Sequence, residues 1–158
     1  MGTDYDIGIG KRLRLAHMAF SRALRLELAQ EGISFGQFVH LDSLWAEDGL
    51  TQTELSRRVG IETASSTTIL DELEKKTLIT RVRSAEDRRR VNIFLTPEGT
   101  AMRDALLRRA AAVNATAKSG VAPADLHALF ATLARLTDSL VAAYPQAGRP
   151  TRKERLGP

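Results

Sequence analysis

Two groups of side chains in this 158-residue chain are suited to hydrogen bonding with a polyanion. One is a run of small hydroxylated residues: Thr63, Ser65, Ser66, Thr67 and Thr68. Short polar side chains let a helix come close to base edges and phosphates. The other is a guanidinium cluster, Arg83, Arg88, Arg89 and Arg90, with Asp87 among them. Planar guanidinium groups match phosphate oxygens in pairs. Arg57 and Arg58 stand on the exposed face of a short helix upstream. Arg57 is a candidate phosphate contact, although paired surface charge is as often only solubilising.

Other chemistry is poorly provided for. The chain has no Cys, which removes disulfides, thiolate nucleophiles, Cys-ligated zinc and thiol redox sensing together. Its three histidines, His17, His40 and His127, have no metal-ligand spacing. There is no nucleophile–base set and no phosphate-cradling glycine loop, so neither an enzyme, a metal nor a cofactor is expected. A net charge of +4 and a pI near 9.8 permit nucleic-acid binding without requiring it.

The elements that must position these groups are legible around Thr51–Leu95. Thr51 and Glu54 have capping-box spacing, and Gly60 suits the left-handed end of a helix. A second helix follows over Thr63–Lys76. Its inward stripe is Ser66, Ile69, Leu70 and Leu73, so Ser66 belongs both to this stripe and to the polar run. Thr63, Ser65, Thr67, Thr68 and Asp71 fall on the other face. Two helices around a Gly-containing turn make a helix-turn-helix. Then Ile79, Arg81 and Arg83 alternate with Thr80 and Val82, and Val91, Ile93 and Leu95 alternate with Asn92 and Phe94. These are two strands. The Ser84–Arg89 loop between them is too long for a two-residue turn, so it projects as a wing.

The run LSRRVGI…LDELEKKTLITR…EDRRRVNIFLTPEG resembles the winged helix-turn-helix of the MarR family of bacterial transcriptional regulators. The most specific parts are Asp87-Arg88-Arg89 and Leu95-Thr96-Pro97-Glu98-Gly99. Specific resemblance covers about residues 33 to 100; beyond that only the order and lengths of the helices match. Two positions depart from the family pattern. Thr77 replaces a Gly at the end of the recognition helix, and Glu62 replaces a Ser or Thr cap. The resemblance implies that Asp87 pairs with Arg89 and orients it, that the protein is a homodimer, and that a small effector binds between the first, second and fifth helices.

Flanking segments complete the expected architecture: mainly α, with a two- or three-stranded β-wing. A first helix runs from Ile9 to about Gln30, apolar along Leu13, Ala16, Phe20 and Leu24 and again along Leu15, Met18 and Leu26. Ser34 and Gln37 open a second helix whose inner face is Phe38, Leu41, Leu44 and Trp45. Thr96 and Pro97 start a long helix after the wing. Gly120 and Pro123 interrupt the chain. The last helix carries Leu126, Leu129, Phe130, Leu133, Leu136, Leu140, Val141 and Tyr144, more apolar surface than a lone terminal helix can leave uncovered. Residues 1–32 and 97–144 are therefore expected to form a dimerisation region, with Leu13, Leu133, Leu136 and Leu140 at the interface. Residues 33–96 form the DNA-binding domain, and 145–158 a flexible basic tail. The first eight residues read as a loose arm without signal-peptide character. No 18-residue apolar run is apparent, so no membrane span is expected, and the lack of Cys fits a cytoplasmic protein.

The expected function is a sequence-specific, dimeric DNA-binding regulator, more a repressor than an activator, acting on double-stranded DNA at a pseudo-palindromic operator. Its half-sites should lie about 10 bp apart. His17, Phe20, Arg22, Phe38 and Trp45 are the candidate effector site, with Arg14 as a second cation. An apolar wall beside positive charge suits an aromatic acid, a phenol or an acyl thioester, and the resemblance points to the same classes. An effector-independent architectural DNA-binding protein and a winged-helix protein-interaction module are the alternatives. The wing separates the last of these from the rest. Arg89→Ala should weaken binding to every DNA sequence alike and lower the salt slope by about 0.9, measured as affinity against salt. Unchanged slope and affinity would remove Arg89 from the interface.

Overall fold

The computed structural model describes residues 8–85, 87 and 90–145. The chain runs α1 (Ile9–Ala29), α2 (Phe35–Ala46), β1 (Leu50–Thr51), α3 (Gln52–Val59), α4 (Thr63–Lys75), β2 (Ile79–Arg83), β3 (Val91–Leu95), α5 (Pro97–Ala101), α6 (Arg103–Lys118) and α7 (Pro123–Ala143). The mainly helical class, the helix-turn-helix and the strand pair are as expected. The expected loose arm over residues 1–7, the tail from 146 onward, and Arg88 and Arg89 lie outside the described residues.

Local sequence accounts for the helix ends. Ser34 accepts from the Gln37 amide while the Gln37 side chain accepts from the Ser34 amide, and Thr51 and Glu54 do the same at α3. Thr96 accepts from the Gly99 amide at α5, with Pro97 in the first turn. At these three helix starts, donors left over by the helix are thus met by side chains. Three helices end alike: Ile33 N–H donates to the Leu28 carbonyl, Ile61 N–H to the Ser56 carbonyl after left-handed Gly60, and Leu78 N–H to the Leu73 carbonyl. This bond requires a left-handed residue just before the donor. Gly32 supplies it at φ 68 without strain, but Thr77 supplies it at φ 58 with a branched side chain.

The sheet is three-stranded, antiparallel and ordered β1-β3-β2. Arg81 lies opposite Ile93, and Leu50 pairs with Ile93 from the other side. At the wing, Ser84 N–H donates to the Arg90 carbonyl and Arg90 N–H to the Asp87 carbonyl. The core gathers Leu24 and Leu28 of α1, Leu41 and Leu44 of α2, Leu55 of α3, Leu70 and Leu73 of α4, Ile79 and Ile93 of the sheet, and Leu106 and Val113 of α6. Each contributes roughly 1.5–3 kcal/mol by burial. The expected long helix is divided at Met102 into α5 and α6.

Gly99 fixes how α5 meets the rest. A Cβ placed there would lie 2.0 Å from the Leu78 carbonyl oxygen. Thr96 ties the same corner: its N–H donates to the Leu78 carbonyl and its hydroxyl to the Thr77 carbonyl. Trp45 Nε1 donates to the Gly99 carbonyl at 3.0 Å. The Leu95–Gly99 motif is therefore a backbone-to-backbone seat between the end of α4 and the start of α5.

The chain divides into two compact units, residues 1–117 and 118–158. In the second, no residue of α7 is buried, and Phe130 and Leu140 are 55% and 54% exposed. Contrary to expectation, α7 is long and apolar enough, by length and composition, to cross a bilayer. Arg135 and Asp138 lie near its middle, however, where a charge costs about 2.5–3.5 kcal/mol in lipid. That favours a protein partner over a membrane.

Two substitutions check this packing by thermal melting. Thr77→Gly should stabilise the fold by about 1 kcal/mol, by relieving the left-handed strain. Gly99→Ala should destabilise it by about 3 kcal/mol, because the clashing atom is backbone and cannot turn aside.

Candidate nucleic-acid interface

The outer face of α4 carries Thr63, Ser65 and Thr68, all exposed, with Thr67 half-buried beside them. Three contacts fix the orientation of this face. His40 of α2, itself fully buried, places Nε2 2.9 Å from the Ser66 hydroxyl. Gln37, one turn earlier, donates to Glu72 Oε2 at 2.7 Å. Between them, Ile69 packs over Gly36, where an added Cβ would meet its Cδ1 at 2.8 Å. From the front, Gln52 of α3 donates to the Thr67 hydroxyl, which donates to the Thr63 carbonyl.

Ser66 is thus a correction to the predicted base-reading set. It is 0% exposed, bonded to His40, and belongs only to the inward stripe. Thr67 spends its hydroxyl on the helix pair. Asp71, expected on the outer face, binds Arg81 Nη1 at 2.7 Å. Glu74 binds the same nitrogen at 2.7 Å, and its other oxygen accepts from the Arg81 amide at 3.3 Å. Arg81 therefore clamps the first wing strand to the recognition helix. Asp71 and Glu74, one turn apart ahead of an Arg-bearing strand, were the sequence signal for it.

Arg57 in the last turn of α3, Arg83 at the end of β2 and Arg90 just before β3 are all exposed. Arg90 lies 3.7 Å from Glu54, an exposed pair of little energetic weight. Arg58 instead pairs with Glu47. The Glu54 carboxyl titrates below its ordinary range because the Thr51 hydroxyl and amide donate to it, with Arg90 and Arg57 adding a smaller pull. The expected Asp87–Arg89 pair lies outside the described residues. Glu62 sits at the N-cap of α4 with no side-chain capping bond. A Ser or Thr at that position would meet one of the free amides of the first turn.

Residues expected to form an effector site are placed as follows. Phe20, Phe38 and Trp45 are half-buried and pack on the core, and the Phe38 and Trp45 rings meet edge-on at 6.4 Å. His17 and Arg22 are exposed, and His17 Nε2 is 3.3 Å from the buried Ser21 hydroxyl. His40 is a core residue, 0% exposed. Burial holds its pKa below the usual 6.5, partly offset by the Gly36 carbonyl at Nδ1. A separate cleft of about 250 Å³ is lined by Glu27, Glu31, Ala105, Arg108, Arg109 and Ala112. Arg109 fills much of its charge balance by binding Glu27 and Glu31. No group of acidic and histidine side chains fit for a metal occurs among the described residues.

A helix-turn-helix with a small polar outer face, followed by a basic β-wing, defines a winged helix-turn-helix protein. The profile described as "MarR family" matches residues 33–91, the stretch from the start of α2 into the wing. It is 35% identical over 85 residues to the HTH-type transcriptional regulator TtmR of Methylorubrum extorquens, which covers 54% of this chain and 44% of that protein. The chain thus spans less than half the length of that relative. A probable transcriptional regulator from Pseudomonas aeruginosa has a similar structure, with a TM-score of 0.75, 27% identity and 83% and 98% of the two chains covered. BpsR of Bordetella bronchiseptica shares the fold, with a TM-score of 0.75, 22% identity and coverage of 85% and 96%; its structure concerns regulation of DNA binding by 6-hydroxynicotinic acid. Relatives of this kind are regulators and not enzymes.

Two measurements test the local electrostatics. Glu62→Ser should stabilise α4 by about 1 kcal/mol through a new cap and raise affinity for any duplex DNA. An unchanged affinity would place Glu62 away from the phosphates. For His40, the folded pKa is depressed. Its contribution to stability is therefore whole above about pH 6.5 and is lost as the pH falls below that, because the unfolded chain takes up the proton first. Urea midpoints should decline below about pH 6.5, and less steeply for His40→Gln. Identical slopes would show that His40 does not govern that decline.

Proposed function

We propose that this chain is a homodimeric transcriptional repressor of the cytoplasm that binds a pseudo-palindromic operator and leaves it when a small aromatic ligand binds. One observation carries the reading: α4 is held on its inner side by α2 and on its flank by Arg81, and its N-terminal half offers the small exposed side chains Thr63, Ala64, Ser65 and Thr68 outward. A helix of that surface enters a major groove, while Arg83, Arg90 and the Arg88–Arg89 tip reach the backbone or minor groove. Residues 1–32 and 97–144 supply the dimer contact in this reading. Support for it is the exposed apolar face of α7, with Leu140 and Phe130, and the exposed Leu13 of α1.

Phe20, Phe38 and Trp45 form the apolar wall of the effector site, with His17 at its rim and Arg22 or Arg14 for an anionic group. An aromatic acid, a phenol or an acyl thioester fits that chemistry. The BpsR structure, which concerns control of DNA binding by an aromatic acid, supports the same class. A ligand lowers DNA affinity only through its preference for the free shape, so a tenfold release needs about 1.4 kcal/mol of coupling.

Leu140→Asp should yield monomers by sedimentation and lose operator binding, because an unpaired charge in an apolar interface is strongly unfavourable. A variant that stays dimeric would place the interface elsewhere. Trp45, the sole tryptophan, should report an aromatic acid by fluorescence quenching, and excess operator should reverse the quench by the same factor. A ligand that releases DNA without touching Trp45 emission, and equally well from His17→Ala/Phe38→Ala, would move the pocket.

A further inference from the structure

We propose that His40 and Gln37, which no DNA could reach, are specificity-determining positioning residues: their bonds to Ser66 and Glu72 set the rotation of α4 about its own axis. The proposal rests on the operator reading above. It begins with an unusual seam. Most of the inner face of α4 is apolar, with Leu70 and Leu73 fully buried. Against α2, however, the contact also includes two polar pairs, with Ile69 packed over Gly36 between them. His40 and Gln37 lie three apart on α2, on one face of that helix. They reach Ser66 and Glu72, six apart on α4, at 2.9 and 2.7 Å.

Both are costly choices for a core. His40 is 0% exposed and Gln37 3%. A buried polar group without a partner loses its whole hydration energy, whereas a leucine in its place would be indifferent to small rotations. Each is also fully committed. His40 Nδ1 lies 2.7 Å from the Gly36 carbonyl. That carbonyl can only accept, so Nδ1 carries the proton and Nε2 accepts from the Ser66 hydroxyl. Gln37 donates through Nε2 to Glu72, while its Oε1 accepts from the Ser34 amide and from Lys76 Nζ. The ring and the amide are thereby held from α2's own backbone: His40 offers α4 one atom, Nε2, and Gln37 meets its C-terminal half through Nε2 at Glu72 and Oε1 at Lys76.

Rotation is the coordinate these bonds control. Apolar packing tolerates small slides along and around a helix, but a hydrogen bond weakens steeply with angle. Ser65 immediately precedes Ser66, and Thr68 lies two residues beyond it. Turning α4 to break the Ser66 bond therefore swings both outward hydroxyls across the base edges. Phosphate contacts from Arg57, Arg83 and Arg90 lie on other elements and would stay in place. Losing the seam should cost discrimination between sequences, not adhesion to DNA.

The test uses the full-length dimer and a duplex enriched by the wild-type protein from a random-sequence library, with unselected duplex as reference. If wild type enriches nothing, the operator reading itself fails and the seam is not at issue. Given an enriched site, Ser66→Ala and His40→Gln should each lower the ratio of specific to unselected affinity by on the order of tenfold. Affinity for unselected duplex and its salt slope should match wild type. Ser66→Ala/His40→Gln should lose no more than the worse single variant, since both remove one bond. Gln37→Leu should act in the same direction, and Leu73→Val, a core change outside the seam, should lower the melting temperature without changing the ratio. Thermal melts confirm that each variant is folded at the assay temperature; for any that is not, Ser66→Thr, which keeps the hydroxyl, should retain the wild-type ratio. A seam that serves stability alone would leave every ratio at the wild-type value. That result, or an equal loss on both DNAs, overturns the proposal.

Discussion

Everything in the reading lobe depends on how α4 is gripped. A helix that exposes small polar side chains to DNA has little on that face to hold it in place, so its orientation must come from elsewhere. Here the grip has three parts. Leu70 and Leu73 bury its back, Gln37 and His40 bond its inner edge, and Arg81 pulls its C-terminal half onto the first wing strand through Asp71 and Glu74. Apolar burial supplies most of the free energy, at roughly 1.5–3 kcal/mol per large side chain. The polar contacts add about 1 kcal/mol each, but they are directional, and direction is what a groove-reading helix needs.

The end of α4 is constrained in a different way, by backbone proximity. Leu78 is met by Thr96 and Gly99 so closely that no side chain fits at residue 99. Trp45 then bonds the Gly99 carbonyl. This corner joins α2, the end of α4, the wing and α5 within a few residues. Phe38 stands edge-on to Trp45. A ligand that repacked those rings would press on α2, which also holds α4, so the corner is a physical route from the proposed effector wall to the DNA-reading surface.

Much of this was legible in the sequence because it is local. Capping boxes at Ser34 and Thr51, the Gly60 turn and the Thr96–Pro97 start each involve residues within a few positions, and all formed as expected. What escaped was set by contacts far apart in the chain. The two-residue strand β1 exists only because Leu50 pairs with Ile93. Ser66 has the composition of a base-reading residue, and only the buried His40, 26 positions earlier, reveals its other duty. Nothing in the spacing of His40 announced that role, because spacing cannot tell a buried histidine from an exposed one. The covering of α7 was expected on apolar content alone, and its exposed Leu140 is what that expectation requires of a single chain.

The central claim is that the outer face of α4 lies in a major groove. The chain contains no cysteine, so Ser65→Cys provides a unique thiol at that face, and an iron-chelate cleaving reagent attached there reports its position on DNA. On the enriched duplex, strand cuts should fall in two symmetric clusters about 10 bp apart. The same label at Lys75→Cys, at the far end of the helix, should cut weakly and outside those clusters. Strong cutting from Lys75 with none from Ser65, on DNA the protein still protects, would contradict the account.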